Sequence, residues 1–280
     1  MLVMTLLVRD EEDIVAANLD YHLSQGVDHV IVTDHRSQDA TAGLLKGYVD
    51  RGLVHYIYES SEGYDQHAWV TRMARMAFTE HGADWVINSD ADEFWWPAEG
   101  TLATTFAGLP PSVNVVKAPR FNFVPVEETG AKIYDRMLYR EKISFNTFGQ
   151  PLPPKVAHRG SPHVTVQQGN HSIRGLGEQT IAADCIEILH FPVRTYAQIE
   201  NKIAKGGHAY TRTTNLPENA GRTWQALYRD YQRDGNIRAY FGECLYDRQR
   251  LARALDEGEL VVDRRLSDHF ARLNGLAPGA

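Results

Sequence analysis

Apolar and polar residues in the first ninety positions follow two alternating periods. Leu2-Val3-Met4-Thr5-Leu6-Leu7-Val8 is an almost unbroken apolar run, the pattern of a strand buried on both faces. Acidic residues at 10–13 suit the positive end of a helix. Val15, Leu19 and Leu23 then recur every four positions to make one apolar stripe, which Gly26 ends. The cycle repeats: 29–34 reads as a second strand, Asp34 to Thr41 as a polar loop, and Leu44, Leu45, Tyr48 and Val49 as a helix face closed by Gly52. Residues 53–58 predict a third strand. A helix over about 65–81 presents Trp69, Met73, Met76 and Ala77 on one face, and 85–88 is the fourth strand. Strand and helix alternating at this spacing predict an α/β fold with a mostly parallel, Rossmann-like sheet flanked by helices. Ligands of such sheets bind beyond the carboxyl ends of the strands. That edge holds Arg9 to Glu11, Asp34 to Thr41, and Asp90 to Glu93.

After Pro97 the pattern turns strand-like around 113–124, 133–140, 155–158, 163–168 and 185–191. Helical order resumes at about 195–206, 222–233 and 243–256. Trp224, Leu227, Tyr228 and Tyr231 form an aromatic stripe at helical spacing, read as packing onto the preceding domain, with a sugar-stacking or membrane-edge surface as the sharper alternative. This division predicts one domain over 1–210 and a helical extension over 211–280 packed on it.

The composition narrows the function classes. A formal charge of −7, with 29 basic against 36 acidic residues, excludes the basic face that nucleic-acid binding needs. Cys185 and Cys244 supply neither a disulfide framework nor a CxxC pair, a usage that fits a reducing cytosol. No basic segment precedes the apolar run at 2–8 and an acidic cluster follows it, so it reads as a buried strand and not a signal peptide. No apolar run approaches the roughly 20 residues of a membrane-spanning helix, so any membrane contact would be peripheral.

The chemistry centres on Asp90-Ala91-Asp92-Glu93. Two aspartates one residue apart at a strand end point the same way and can share one hard divalent cation, manganese or magnesium. Such an ion can bridge the phosphates of a nucleotide diphosphate and neutralise the charge of the departing group. The triplet alone is about what chance provides in a chain with this many aspartates. Its position between the apolar runs 85–87 and 94–97 adds weight, since buried carboxylates need compensation by a cation or by hydrogen-bond donors.

Three stretches in order, 7–14 with 18–29, Asp34-His35-Arg36-Ser37-Gln38-Asp39-Ala40-Thr41, and Asp84-Trp85-Val86-Ile87-Asn88-Ser89-Asp90-Ala91-Asp92-Glu93-Phe94, resemble the glycosyltransferase family 2-like proteins. The resemblance implies a GT-A fold and transfer of a hexosyl group, by inversion, from a UDP- or GDP-sugar to a saccharide or lipid-linked hydroxyl. It also implies a setting in polysaccharide or glycoconjugate synthesis, in the cytoplasm at the inner face of the membrane. By the same resemblance Arg9, Glu11 and Asp34 would face base and ribose, with Asp39 a weaker candidate, and the alternative for both aspartates is a loop or helix cap. Asp90 would approach ribose or metal, and Asp92 would ligate the metal. Segments 154–158, 169–171 and 188–206 resemble later family elements. His190 is the first candidate to complete the metal shell and His171 the second, since a neutral imidazole suits manganese. Lys155, Arg194 and Lys202 are candidates for holding the diphosphate, against ordinary surface charge. No catalytic base is assigned, because Glu127, Glu128, Glu178, Asp184 and Glu187 are not ranked by the sequence.

No glycine-rich dinucleotide turn, Gly-Lys-Ser/Thr phosphate loop, HExxH or GxSxG pattern occurs. Two alternatives stand beside the transferase: a nucleotidyltransferase, whose basic glycine-rich loop after the first strand is missing here, and a non-catalytic nucleotide- or carbohydrate-binding module.

Overall fold

A computed structural model describes residues 1–146, 148–213 and 221–275, so parts of the expected C-terminal extension, 214–220 and 276–280, lie outside the described residues. The chain forms two compact units, Met1–Arg120 with Pro153–Leu189, and Phe121–Leu152 with His190–Ala280. The expected boundary at 210 falls inside the second.

The first unit opens as the periodicity predicts: β1 (Leu2–Val8), α1 (Val15–Ser24), β2 (His29–Asp34), α2 (Thr41–Val49), β3 (Val54–Tyr58), α3 (Gln66–Thr79) and β4 (Trp85–Asp90). β5 (Glu93–Pro97), α4 (Leu102–Gly108) and β6 (Val115–Ala118) follow. The seven-stranded sheet has the order Ile181–Ala182, β6, Lys155–Arg159, β4, β1, β2, β3. Its pairs are parallel except for those of Lys155–Arg159, which runs antiparallel to both β4 and β6. β1 lies inside the sheet between β4 and β2, and Val3, Met4 and Leu6 are fully buried. Val3, Ile31, Val86, Val115 and Val156 pack with Val70, Met73, Ala74 and Ala77 of α3 into one hydrophobic core.

Strand register positions the loops. Val8 pairs with Asp34 and Leu7 with Asp90, so β1, β2 and β4 end level and release their loops at one edge. The reversed strand begins at that edge, which brings its first residue, Lys155, there as well.

In the second unit, helices Tyr196–Thr211, Arg222–Asp234 and Arg238–Cys244 enclose a core of Val193, Ile199, Ile203 and Ile237. Trp224, Leu227, Tyr228 and Tyr231 pack against this core. A second cluster, Val124, Ala254 and Leu260, lies beside the antiparallel pair Tyr139–Glu141 and Leu260–Val262. Among the described residues no helix is long and apolar enough to cross a membrane.

The structure differs from the sequence expectation in the second half. Residues 133–136 form a single helical turn where a strand was expected, because a turn buries both Ile133 and Met137, four positions apart. α4 was not anticipated, although Thr101 and Thr104 make a reciprocal cap and Leu102 and Phe106 are buried at the same spacing. Arg265–Leu273 is a further unforeseen helix, anchored by Phe270 stacked on Tyr134 with ring centroids 4.1 Å apart.

Candidate functional site

Asp90 ends β4, Glu93 begins β5, and Ala91 and Asp92 form the link between them. Helix α1 holds this link by its backbone. Buried Asn18 donates its amide to the carbonyls of Ala91 (3.0 Å) and Glu93 (2.8 Å), and the Tyr21 hydroxyl donates to the carbonyl of Trp95 (2.9 Å). Nδ1 of His22 donates to the Asn18 carbonyl (2.8 Å), and Nε2 accepts from the Trp95 N–H (3.2 Å). That pair of bonds fixes the neutral tautomer. Burial pushes His22 down to about 4, which keeps it neutral. Asn18, Tyr21 and His22 therefore position the acidic link, a role their sequence alone did not reveal. Asn18→Ala leaves two buried carbonyls short of a donor, and its expected cost is about 2 kcal/mol in urea unfolding. Unchanged stability would overturn this assignment.

The charges of the link are balanced from distant positions. Glu93 and Lys155 are both buried. The Lys155 ammonium bonds to a carboxylate oxygen of Asp90 and lies 3.2 Å from Glu93, while the Arg120 guanidinium lies 3.5 Å from Glu93. Burial raises Glu93 to about 7 against the pull of Lys155 and Arg120, with Asp90 and Asp92 adding to the rise. Asp90, Asp92 and Glu93 gather hard oxygen donors of the kind a divalent ion takes. Asn170 adds a second sign of a ligand. It has a left-handed backbone (φ 61°) and donates to Asp90 at 3.3 Å, while its buried Oδ1 has no hydrogen-bond partner.

His171 follows Asn170. Its Nδ1 donates to the carbonyl of Pro154 (2.9 Å), and burial, with Lys155 and Arg120 nearby, lowers it to about 3. The ring is thus neutral with Nε2 as its acceptor atom.

At the ends of β1 and β2, Asp34 is buried, accepting from the Ser37 N–H (2.9 Å) and the Tyr56 hydroxyl (2.8 Å). Burial and that bond to Asp34 raise Tyr56 above its usual range. Nε of Arg9 is buried without a partner, and burial lowers the Arg9 pKa. An unsatisfied donor beside a buried carboxylate at a strand-end edge suits a polar ligand. The two loops are stapled together. The N–H of Asp10 donates to Ser37 Oγ, that of Gln38 to Asp10, that of Glu11 to Thr41 Oγ1, that of Glu12 to Asp39, and that of Ala40 to Glu12. Glu11 is buried here. Asp39 accepts from the N–H groups of Glu12 and Thr41 within the stapled loops.

Arg9, Glu11, Asp34, Asp39, Asp90, Asp92, Lys155 and His171 thus belong to the first unit, while His190, Arg194 and Lys202 belong to the second. His190 Nδ1 pairs with Asn122 Oδ1 (2.7 Å). Arg194 is fully buried and donates to the Phe191 carbonyl (3.2 Å). The Lys202 ammonium lies 5.7 Å from the centre of the Trp224 ring. Arg120, Asn170 and the α1 trio were missed from the sequence. An asparagine after glycine at 169–170 was a signal for a left-handed turn, but nothing local pointed to Asp90.

No curated protein matches the chain at a significant level. Among solved structures, S. aureus TarS 1-349 in complex with UDP is 10% identical, with 82% of this chain and 71% of that chain covered and a TM-score of 0.43. The mannosyltransferase PcManGT from Pyrobaculum calidifontis, in complex with GDP-Man and Mn2+, is 15% identical over 98% and 79% of the two chains, with a TM-score of 0.42. Glucosyl-3-phosphoglycerate synthase from Mycobacterium tuberculosis, in complex with Mn2+, UDP and phosphoglyceric acid, is 14% identical over 78% and 80%, with a TM-score of 0.40. Residues 4–129, which include the acidic link, the loops stapled at 9–13 and 34–41, and Arg120, match the family model of glycosyltransferase family 92, a similarity that supports sugar transfer.

Proposed function

We propose that the chain is a metal-dependent glycosyltransferase of GT-A type that moves a sugar from a UDP- or GDP-sugar to the hydroxyl of a saccharide or lipid-linked acceptor. The observation that carries this reading is the register that ends β4 at Asp90 level with the ends of β1 and β2, beside Arg9 and Asp34. The match of residues 4–129 to a glycosyltransferase family supports it. Asp90 and Asp92 would hold manganese or magnesium, with His171 as the nitrogen ligand. When bound, the ion supplies positive charge to the departing diphosphate.

The chain's own residues bind and orient. Arg9 and Asp34 face the base and ribose, with the stapled loops keeping both rigid. Lys155 supplies a positive charge beside Asp90 for the diphosphate. α1 holds the acidic link so that its carboxylates converge without a conformational search. Transfer with inversion and a role in polysaccharide or glycoconjugate assembly at the inner face of the membrane complete the reading.

A calorimetric panel of UDP-, GDP-, CMP- and dTDP-sugars with and without manganese tests it. One donor class is expected to bind only with the metal, and Asp92→Ala is expected to abolish that binding and to reduce turnover by at least about a hundredfold. Metal-independent binding, or an Asp92→Ala variant that behaves as the parent, would sink the proposal. Metal-dependent binding without turnover of any acceptor would favour a binding module instead.

A further inference from the structure

A cluster of histidines lies at the sheet edge opposite the acidic link. His29 begins β2, His55 lies at the start of β3 in register with Ile31, and Glu80 and His81 directly follow α3. One ligand atom from each of His55, Glu80 and His81 comes within 4.8 Å of the other two. His29 stacks on His81 with ring centroids 4.4 Å apart at 26°, and His55 meets His81 edge-on at 5.6 Å and 74°. Nε2 of both His29 and His81 is buried without a hydrogen-bond partner. Gathering three imidazoles while leaving two buried ring nitrogens unsatisfied is costly unless a ligand compensates.

We propose that His55, Glu80 and His81 form a second metal site, for one zinc-like divalent transition ion, with His29 as a positioning residue stacked on His81. Two imidazoles and one carboxylate are a borderline donor set suited to zinc, unlike the all-oxygen pair Asp90 and Asp92. Zinc bonds of about 2.0–2.2 Å require ligand atoms roughly 3.3–3.5 Å apart, within reach of small side-chain rotations from the observed spacing. The carbonyl end of α3 carries partial negative charge, which also favours a cation there. β3 is the edge strand of the sheet, so the ion would clip that edge to the end of α3, the helix that leads into β4 and the acidic link. The site does not depend on the glycosyltransferase reading.

The test is equilibrium dialysis of the chelator-treated full chain against zinc, with metal quantified per chain. The parent and Asp92→Ala are expected to retain one zinc that His55→Ala/His81→Ala loses, with affinity weakened more than about a hundredfold. Glu80→Gln changes an exposed side chain, so folding is preserved, and a weakening of at least about tenfold is expected. Cobalt substituted into the parent is expected to give a visible spectrum of nitrogen and oxygen ligation that Glu80→Gln alters. Loss of the zinc in Asp92→Ala, full retention in Glu80→Gln, or no stoichiometric zinc in the parent would overturn the site.

Discussion

Lys155→Met is expected to lower the unfolding free energy by about 3–5 kcal/mol, the cost of removing one partner from a buried ion pair. Lys155 and Glu93 are 1% and 0% exposed, so water cannot replace the lost ammonium. Arg120, at 3.5 Å, compensates Glu93 only in part. Glu93 is already raised to about 7 by burial, and without Lys155 it becomes protonated at neutral pH, which limits the loss. The double variant Lys155→Met/Glu93→Gln should therefore be clearly more stable than the sum of the two single variants. Urea unfolding of all four proteins measures the coupling. Additive effects would mean that the two side chains do not act as a pair. The same cycle separates structure from ligand binding. On the proposed function, the double variant is expected to fold yet bind nucleotide diphosphate poorly, since the positive charge beside Asp90 is gone.

Acid is expected to destabilise the protein well above the carboxylate range. His22 and His158 are fully buried, and burial lowers each to about 4. In the unfolded chain they titrate near 6.5. Between those values these two side chains bind more protons in the unfolded state, so their contribution is complete above about pH 6.5 and is lost as the pH drops toward 4, while Glu93, raised to about 7, is protonated first in the folded state and offsets part of that loss. The expected loss is about 3 kcal/mol per histidine at the bottom of that window. At His22 the reason is specific: Nε2 accepts from the Trp95 N–H, and a proton there would set two donors against each other. Urea unfolding at pH 7.5 and pH 5 measures the loss, and NMR titration of the histidine ring protons assigns it. A folded-state value near 6.5 for His22 would rule the mechanism out.

The strand and helix order through β4 was legible because each element declares itself locally. Apolar runs of five to seven residues bounded by Gly26 and Gly52, and stripes repeating every four positions, leave few alternatives. The same logic failed at 133–136, where a four-residue turn is too short for a period to show, and at Arg265–Leu273, where Leu266 and Phe270 are a single buried apolar pair at helical spacing.

The acidic link was also visible, since Asp90 and Asp92 directly follow an apolar strand. What compensates their charge was not. Lys155 is 65 residues away and reaches Asp90 because a reversed strand pairs beside β4, and strand pairing is set by burial across the whole sheet. Asn18, His22 and Asn170 reach the link through helix packing and an inserted turn. His55 and His81 meet only because the edge strand lies beside the end of α3. The sequence by itself determined which elements form through β4 and where the carboxylates lie, because those depend on neighbours in the chain. Tertiary structure alone decided which cations, amides and imidazoles meet them, because burial and charge act between residues brought together from distant positions.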